Sequence, residues 1–96
     1  KRCMGQFKLK IEELAEIHLR KHFKSGNQAS IKKIEKILLE LTETPYTGIG
    51  NPEALKNELN GFWSRRVNQK DRLIYKVEEN IVTVFIISAM GHYKDK

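Results

Sequence analysis

The sequence predicts an α+β fold in which two antiparallel helices pack on a mostly antiparallel, twisted sheet of four to five strands. Three observations carry this expectation. Apolar residues recur at helical spacing through the first half of the chain, the stretch TPYTGIGNP breaks that pattern, and beyond it the period falls to two with short turn-rich connections. At 96 residues, with 40% hydrophobic and 31% charged side chains, the chain reads as one small domain over 1–96. A chain of this size buries roughly 60 to 70% of the surface it exposes when unfolded.

Gln6 to Ile11 reads as an edge strand, with Phe7, Leu9 and Ile11 alternating with Lys8 and Lys10. A helix is expected over Glu12 to Lys24, because Glu12, Glu13 and Glu16 open it and Arg20, Lys21 and Lys24 close it, the order that complements the helix dipole. Its apolar ridge is Ile11, Ala15, Leu19 and Phe23, with Leu14 beside them. Ser25-Gly26-Asn27 then supplies a tight connection in which Asn27 caps a second helix running to about Glu43, with Ile31, Ile34, Leu38 and Leu41 on one face and Ile37 adjoining.

Four strands follow, over Ala54 to Leu59, Phe62 to Val67, Arg72 to Glu78 and Ile81 to Ser88, joined at Asn60-Gly61, Asn68 to Asp71 and Glu79-Asn80. Ile81 to Ile87 is almost continuously apolar, as expected of a strand covered on both faces or central in the sheet. In the strand from Arg72, Leu73, Tyr75 and Val77 should meet the helices, leaving Arg72, Ile74 and Lys76 on a more polar face. If Arg66 pairs with Arg72, both arginines converge on that polar face while Trp63 and Val67 join the core. A one-residue shift brings Arg65 there instead, and parity leaves the two open.

The net charge of +6 favours a polyanionic or acidic partner without selecting among RNA, DNA, anionic lipid and acidic protein. The single cysteine, Cys3, excludes an internal disulfide and a multi-cysteine zinc site, which fits a reducing cytoplasm. No apolar stretch approaches the ~20 residues of a membrane helix, and no secretory signal follows Lys1-Arg2. The chain starts without methionine, which leaves residues 1–5 open as an appended remnant or part of a longer chain, with Met4 a candidate start.

RNA is cut by its own 2′-hydroxyl when a base removes that proton, cations stabilise the charge gathering on phosphorus, and an acid protonates the departing 5′-oxygen. Glu53 is a candidate base, Arg66 and Arg72 a candidate phosphate clamp with Arg65 as the alternative, and His92 a candidate acid. Lys56 adds a point charge, Tyr93 a ring for base stacking, and Gly91 backbone freedom just before His92. Taken singly, each is an ordinary surface residue. His18 and His22 have metal-sharing spacing, but HLRKH lacks the glutamate of HExxH hydrolases and carries two extra positive charges. Trp63 reads as core, and Ser64 has no evident base to make it a nucleophile.

At PEALKNELNGFWSRRVNQKDRLIY followed by GHY, the chain resembles the YoeB/Txe family of toxin-antitoxin ribonucleases within the RelE-like group. The resemblance runs from Thr44 to Tyr93, extends through KSGN and the second helix, and fades before Phe7. It implies a microbial-ribonuclease-like fold that enters the ribosomal A site and cleaves the exposed mRNA codon by a metal-independent route through a 2′,3′-cyclic phosphate, with no cofactor. Carried over by motif, Glu53 is the general base, His92 the general acid, Arg72 the principal phosphate-stabilising arginine and Arg66 a second one, with Lys56 and Tyr93 as supporting substrate contacts. That choice favours Arg66 over Arg65. Lys94-Asp95-Lys96 extends past the terminal tyrosine of some relatives.

The resemblance also implies a cognate antitoxin whose acidic, partly disordered segment folds onto the toxin, and operator DNA bound only through that antitoxin. Homodimerisation is compatible with it. The competing functional readings are a noncatalytic RNA- or ribosome-binding module and a transcriptional co-repressor acting only with its antitoxin.

Overall fold

The computed structural model describes residues 6–91, so the expectations for residues 1–5, His92, Tyr93 and Lys94 to Lys96 lie outside the described residues. Strand β1 (Lys8–Ile11) leads into helices α1 (Glu13–Ser25) and α2 (Gln28–Leu41). Then come β2 (Glu53–Ala54), a 3-10 turn (Asn57–Leu59), β3 (Phe62–Arg66), β4 (Arg72–Glu78), a second 3-10 turn (Glu79–Ile81) and β5 (Thr83–Ser88). The five strands form one mixed sheet in the order β1-β5-β4-β3-β2. All pairings are antiparallel except β1 with β5. The expected α+β architecture is what forms, with β5 inside the sheet as its apolar run requires.

Asn27 caps α2 as its position predicts, its side-chain oxygen accepting from the Ser30 N–H at 3.1 Å. The core joins Ala15 and Leu19 of α1 and Ile34, Ile37 and Leu41 of α2 to Leu73 and Tyr75 of β4 and Val84 and Ile86 of β5. Leu73 and Tyr75 are fully buried, so the alternation read along β4 holds.

The ridge expected on α1 holds only in part. Ala15 and Leu19 are buried, but the third buried residue is His22, while Ile11, Leu14 and Phe23 are exposed. A strict spacing of four advances about 40° per step beyond a full turn, so Phe23 has rotated off the face that Ala15 and Leu19 define, and the i+3 step to His22 returns to it.

Strand boundaries also differ, β1 starting at Lys8 and β3 ending at Arg66. The extended run expected over Ala54 to Leu59 contracts to Glu53–Ala54 because Asn57 adopts a left-handed φ of 58° and opens the 3-10 turn. The strand expected from Ile81 begins at Thr83, since Glu79–Ile81 coil and Val82 takes a left-handed φ of 49°. The change at β2 matters for function, because it moves Glu53 from a loop into the sheet.

Candidate active site

The register of the last strands decides which side chains share a face. Arg66 lies opposite Arg72, Ser64 opposite Ile74, and Phe62 opposite Lys76. On the other side of β3, Glu53 pairs with Ser64. Directly opposed residues project to the same side of a sheet, so Glu53, Ser64, Arg66 and Arg72 occupy the face turned away from the helices. There the Arg72 guanidinium comes within 3.7 Å of the Glu53 carboxylate, with Glu53 largely exposed. Arg66 is exposed beside them, and Lys56 is exposed just past β2. Further along this face, Phe62, Lys76, Phe85 and Ile87 line an apolar cleft, with Lys76 Nζ 5.7 Å from the Phe62 ring centre.

Arg65 does not join this set. Its parity turns it toward the helices, where it is 0% exposed. There its guanidinium donates to Glu40 Oε1 at 2.7 Å, to the carbonyls of Ile49, Thr44 and Thr47, and to the Tyr75 hydroxyl. All five guanidinium N–H groups are thereby engaged, as burial of this cation demands. The Tyr75 hydroxyl in turn donates to the Pro45 carbonyl at 2.6 Å. Burial pushes the Tyr75 pKa up, with Arg65 opposing. Arg65 therefore holds the 44–49 loop that delivers Glu53, instead of meeting a substrate.

Gly48 makes that hub possible. With φ at 134° it lies where any Cβ would collide with the Glu40 carboxylate and approach Arg65 Nη1 at 2.8 Å. At the near end of the loop, Arg66 N–H donates to the Gly50 carbonyl at 2.6 Å. On its far side, the Tyr46 ring tilts against Trp63 with centroids 5.1 Å apart, confirming Trp63 as a packing residue. The Tyr46 hydroxyl, donating to Glu79, has its pKa pushed up to about 12, by burial first and then by that carboxylate.

The end of β5 approaches Arg72. A register shift between Ile74 and Tyr75 leaves Ile87 without an opposite residue and bends the strand where its ladder ends. Beyond it, Arg72 N–H donates to the Gly91 carbonyl at 3.0 Å, and Gly91 N–H donates to Asp71 Oδ1 at 2.9 Å. Gly91 takes a φ of 84°, which a side chain would strain. His92 and Tyr93, the residues that follow, lie outside the described residues.

The structure thus brings together Glu53, Arg66 and Arg72, an acceptor beside two planar donors of the kind that suits a phosphodiester. Sequence reasoning missed Asp71 and the buried Ser64, whose hydroxyl has no hydrogen-bond partner among the described residues. The NQKD turn signalled Asp71: the Asn68 side chain accepts from the N–H groups of Lys70 and Asp71, fixing the turn in front of Arg72. Ser64 was weighed only as a nucleophile, and nothing in the sequence marked its burial. His18 and His22, at metal-sharing spacing, instead bond the backbone of Ala89. Among the described residues, no group of three or more His, Cys, Asp or Glu is placed to hold a metal, and no helix is long and apolar enough to cross a membrane.

Comparison with known proteins places this geometry in context. Residues 12–93 match the model of a family described as the YoeB-like toxin of bacterial type II toxin-antitoxin systems. A YoeB toxin of Escherichia coli O6:H1 is 36% identical over 72 residues, covering 75% of this chain and 83% of that protein. A YoeB/ParE toxin from Agrobacterium tumefaciens superposes with a TM-score of 0.81 at 26% identity, over 91% of this chain and 100% of that one. The toxin of a heterotetrameric YoeB-YefM toxin-antitoxin complex from Staphylococcus aureus does so with a TM-score of 0.74 at 33% identity, over 91% and 98%.

Proposed function

The chain belongs to the YoeB-like toxins of bacterial type II toxin-antitoxin systems, and from that premise we propose that it is a ribosome-dependent endoribonuclease that cuts mRNA in the A site without a metal. Glu53 takes the proton from a ribose 2′-hydroxyl, and the freed oxygen attacks the adjacent phosphorus. Arg72 and Arg66 bind the non-bridging oxygens as negative charge builds on them. As the bond from phosphorus to the 5′-oxygen breaks, His92 donates a proton to that oxygen. The products are a 2′,3′-cyclic phosphate and a 5′-hydroxyl. Lys56 and Tyr93 contact the flanking substrate.

The observation that carries this reading is the 3.7 Å approach of Arg72 to Glu53 on an exposed sheet face, with Arg66 directly opposite Arg72. An acid, a base and two cations belong to one short stretch of sheet and the chain leaving it. The net charge of +6 suits both ribosomal RNA and an acidic antitoxin segment, and the Staphylococcus aureus relative is seen with its antitoxin.

Cleavage of mRNA on programmed ribosomes, comparing the wild type with Glu53→Ala, Arg72→Ala and His92→Ala, tests the proposal. Each variant should lose cutting, and wild-type levels in all three would refute it. Ribosome binding with no cyclic phosphate product would instead support a noncatalytic ribosome-binding module.

A further inference from the structure

Two histidines one turn apart on α1 grip a single peptide unit. The Ala89 N–H donates to His18 Nδ1 at 3.0 Å, and His22 Nε2 donates to the Ala89 carbonyl at 2.8 Å. The chemistry fixes the protonation. A carbonyl only accepts, so His22 carries hydrogen on Nε2, and His18 must keep Nδ1 bare to accept from an amide. Ala89 itself is completely buried.

This grip falls just beyond the sheet. β5 ends at Ser88, so the next three residues have no ladder of their own. They are instead tied at both ends, Ala89 by the two imidazoles and Gly91 by Asp71 Oδ1 and the Arg72 N–H. The residue after Gly91 is His92.

We propose that His18 and His22 are positioning residues, which clamp Ala89 and so fix the backbone three residues before His92. This role rests on the reading of His92 as the acid. A catalytic group displaced by about 1 Å can cost ~10²-fold in rate. It also gives the clamp a dependence on pH. The groups around His18 are Lys21 and His22 on α1 and Asp71 before β4. A proton on His18 Nδ1 turns its acceptor into a donor facing the Ala89 N–H, and the clamp opens.

The test pairs disruptive with conservative changes. His18→Leu and His22→Leu remove the bonds, whereas His18→Asn keeps an acceptor in place of Nδ1 and His22→Gln keeps a donor in place of Nε2. Single-turnover cleavage on ribosomes should fall roughly tenfold or more in kcat for the leucine variants at unchanged KM, and return to within about threefold of wild type for the conservative ones. In parallel, NMR should show the His92 ring signals moved by the leucine changes and restored by the conservative ones. Folded leucine variants with wild-type kcat, or with unmoved His92 signals, overturn the proposal.

A wild-type chain that does not cut at all overturns the catalytic reading, and the His92 signals then decide the clamp alone. Should the leucine variants fail to fold, an NMR pH titration of the wild type replaces them. The Ala89 and Gly91 amides should shift together as His18 protonates, and not in His18→Asn. Independent titration of the two overturns it.

Discussion

Arg65 Nη1 lies 2.7 Å from Glu40 Oε1, joining the middle of β3 to the last turn of α2 through a fully buried cation. The same carboxylate oxygen accepts from the Ile49 N–H at 2.9 Å. One ion pair therefore fastens strand, helix and loop. Removing the cation leaves Glu40, itself 27% exposed, uncompensated and the carbonyls of Thr44, Thr47 and Ile49 without their donor, together a loss of about 3 to 5 kcal/mol. Arg65→Ala should lower unfolding stability in urea by about that amount, and Arg65→Lys should not rescue it, because an ammonium cannot reach five acceptors in one plane. An Arg65→Lys chain with wild-type stability would show that charge alone suffices.

The clamp on the opposite face should behave differently. Arg72→Ala removes a group proposed to bind the reacting phosphate, and a loss of ~10² to 10³ in kcat is expected. Stability should hardly change, since the Arg72 side chain pairs with a mostly exposed Glu53 at 3.7 Å, and its backbone bond to Gly91 survives the substitution. Kinetics on ribosomes and a thermal melt of the same sample check both halves. A large fall in Tm for Arg72→Ala would recast the pair as structural.

His18 gives a pH dependence with a definite sign. Burial, then Lys21 and His22, hold its pKa below the ordinary value, with Asp71 opposing. The unfolded chain therefore binds this proton at higher pH than the folded one. The stability linked to His18 is complete above about pH 6.5 and declines as pH falls from there toward the folded value. Below pH ~6.5 the wild type should lose Tm relative to His18→Asn by on the order of a few degrees. Melting curves that stay parallel from pH 8 to pH 5 would contradict this.

Val82 is a β-branched residue at a φ of 49°, in the turn before β5. The left-handed conformation costs an ordinary L residue roughly 1 to 2 kcal/mol, and asparagine tolerates it better. Val82→Asn should therefore raise stability by about 1 kcal/mol without altering cleavage, because the site lies at the other end of β4. Chemical denaturation measures it, and an unchanged or lower midpoint would mean the exposed valine side chain contributes packing that offsets the strain.

Periodicity was enough to read the two helices, the last three strands and the face that Leu73 and Tyr75 bury, because each follows from local spacing. The pairing of Arg66 with Arg72 was one of two registers that spacing allowed, and the family motif chose the one observed. Arg65 was illegible for a physical reason. A charged side chain inside the core is rare unless every donor is met, and its acceptors come from Glu40, Thr44, Thr47, Ile49 and Tyr75, which no local pattern links. The histidine clamp was hidden likewise, since Ala89 is a partner 67 and 71 residues away.

Arg65 and Arg66 are neighbours in sequence with opposite surroundings, one sealed against Glu40 and one open to solvent beside Arg72. That arrangement makes β3 intolerant of slippage. A single inserted or deleted residue between Phe62 and Arg65 inverts the strand's two sides, pushing a bare guanidinium into the interior and leaving the loop's carbonyls facing the wrong side chain. Length changes in this family should therefore be purged from the strand and from the bonded Asn68 to Asp71 turn that follows it.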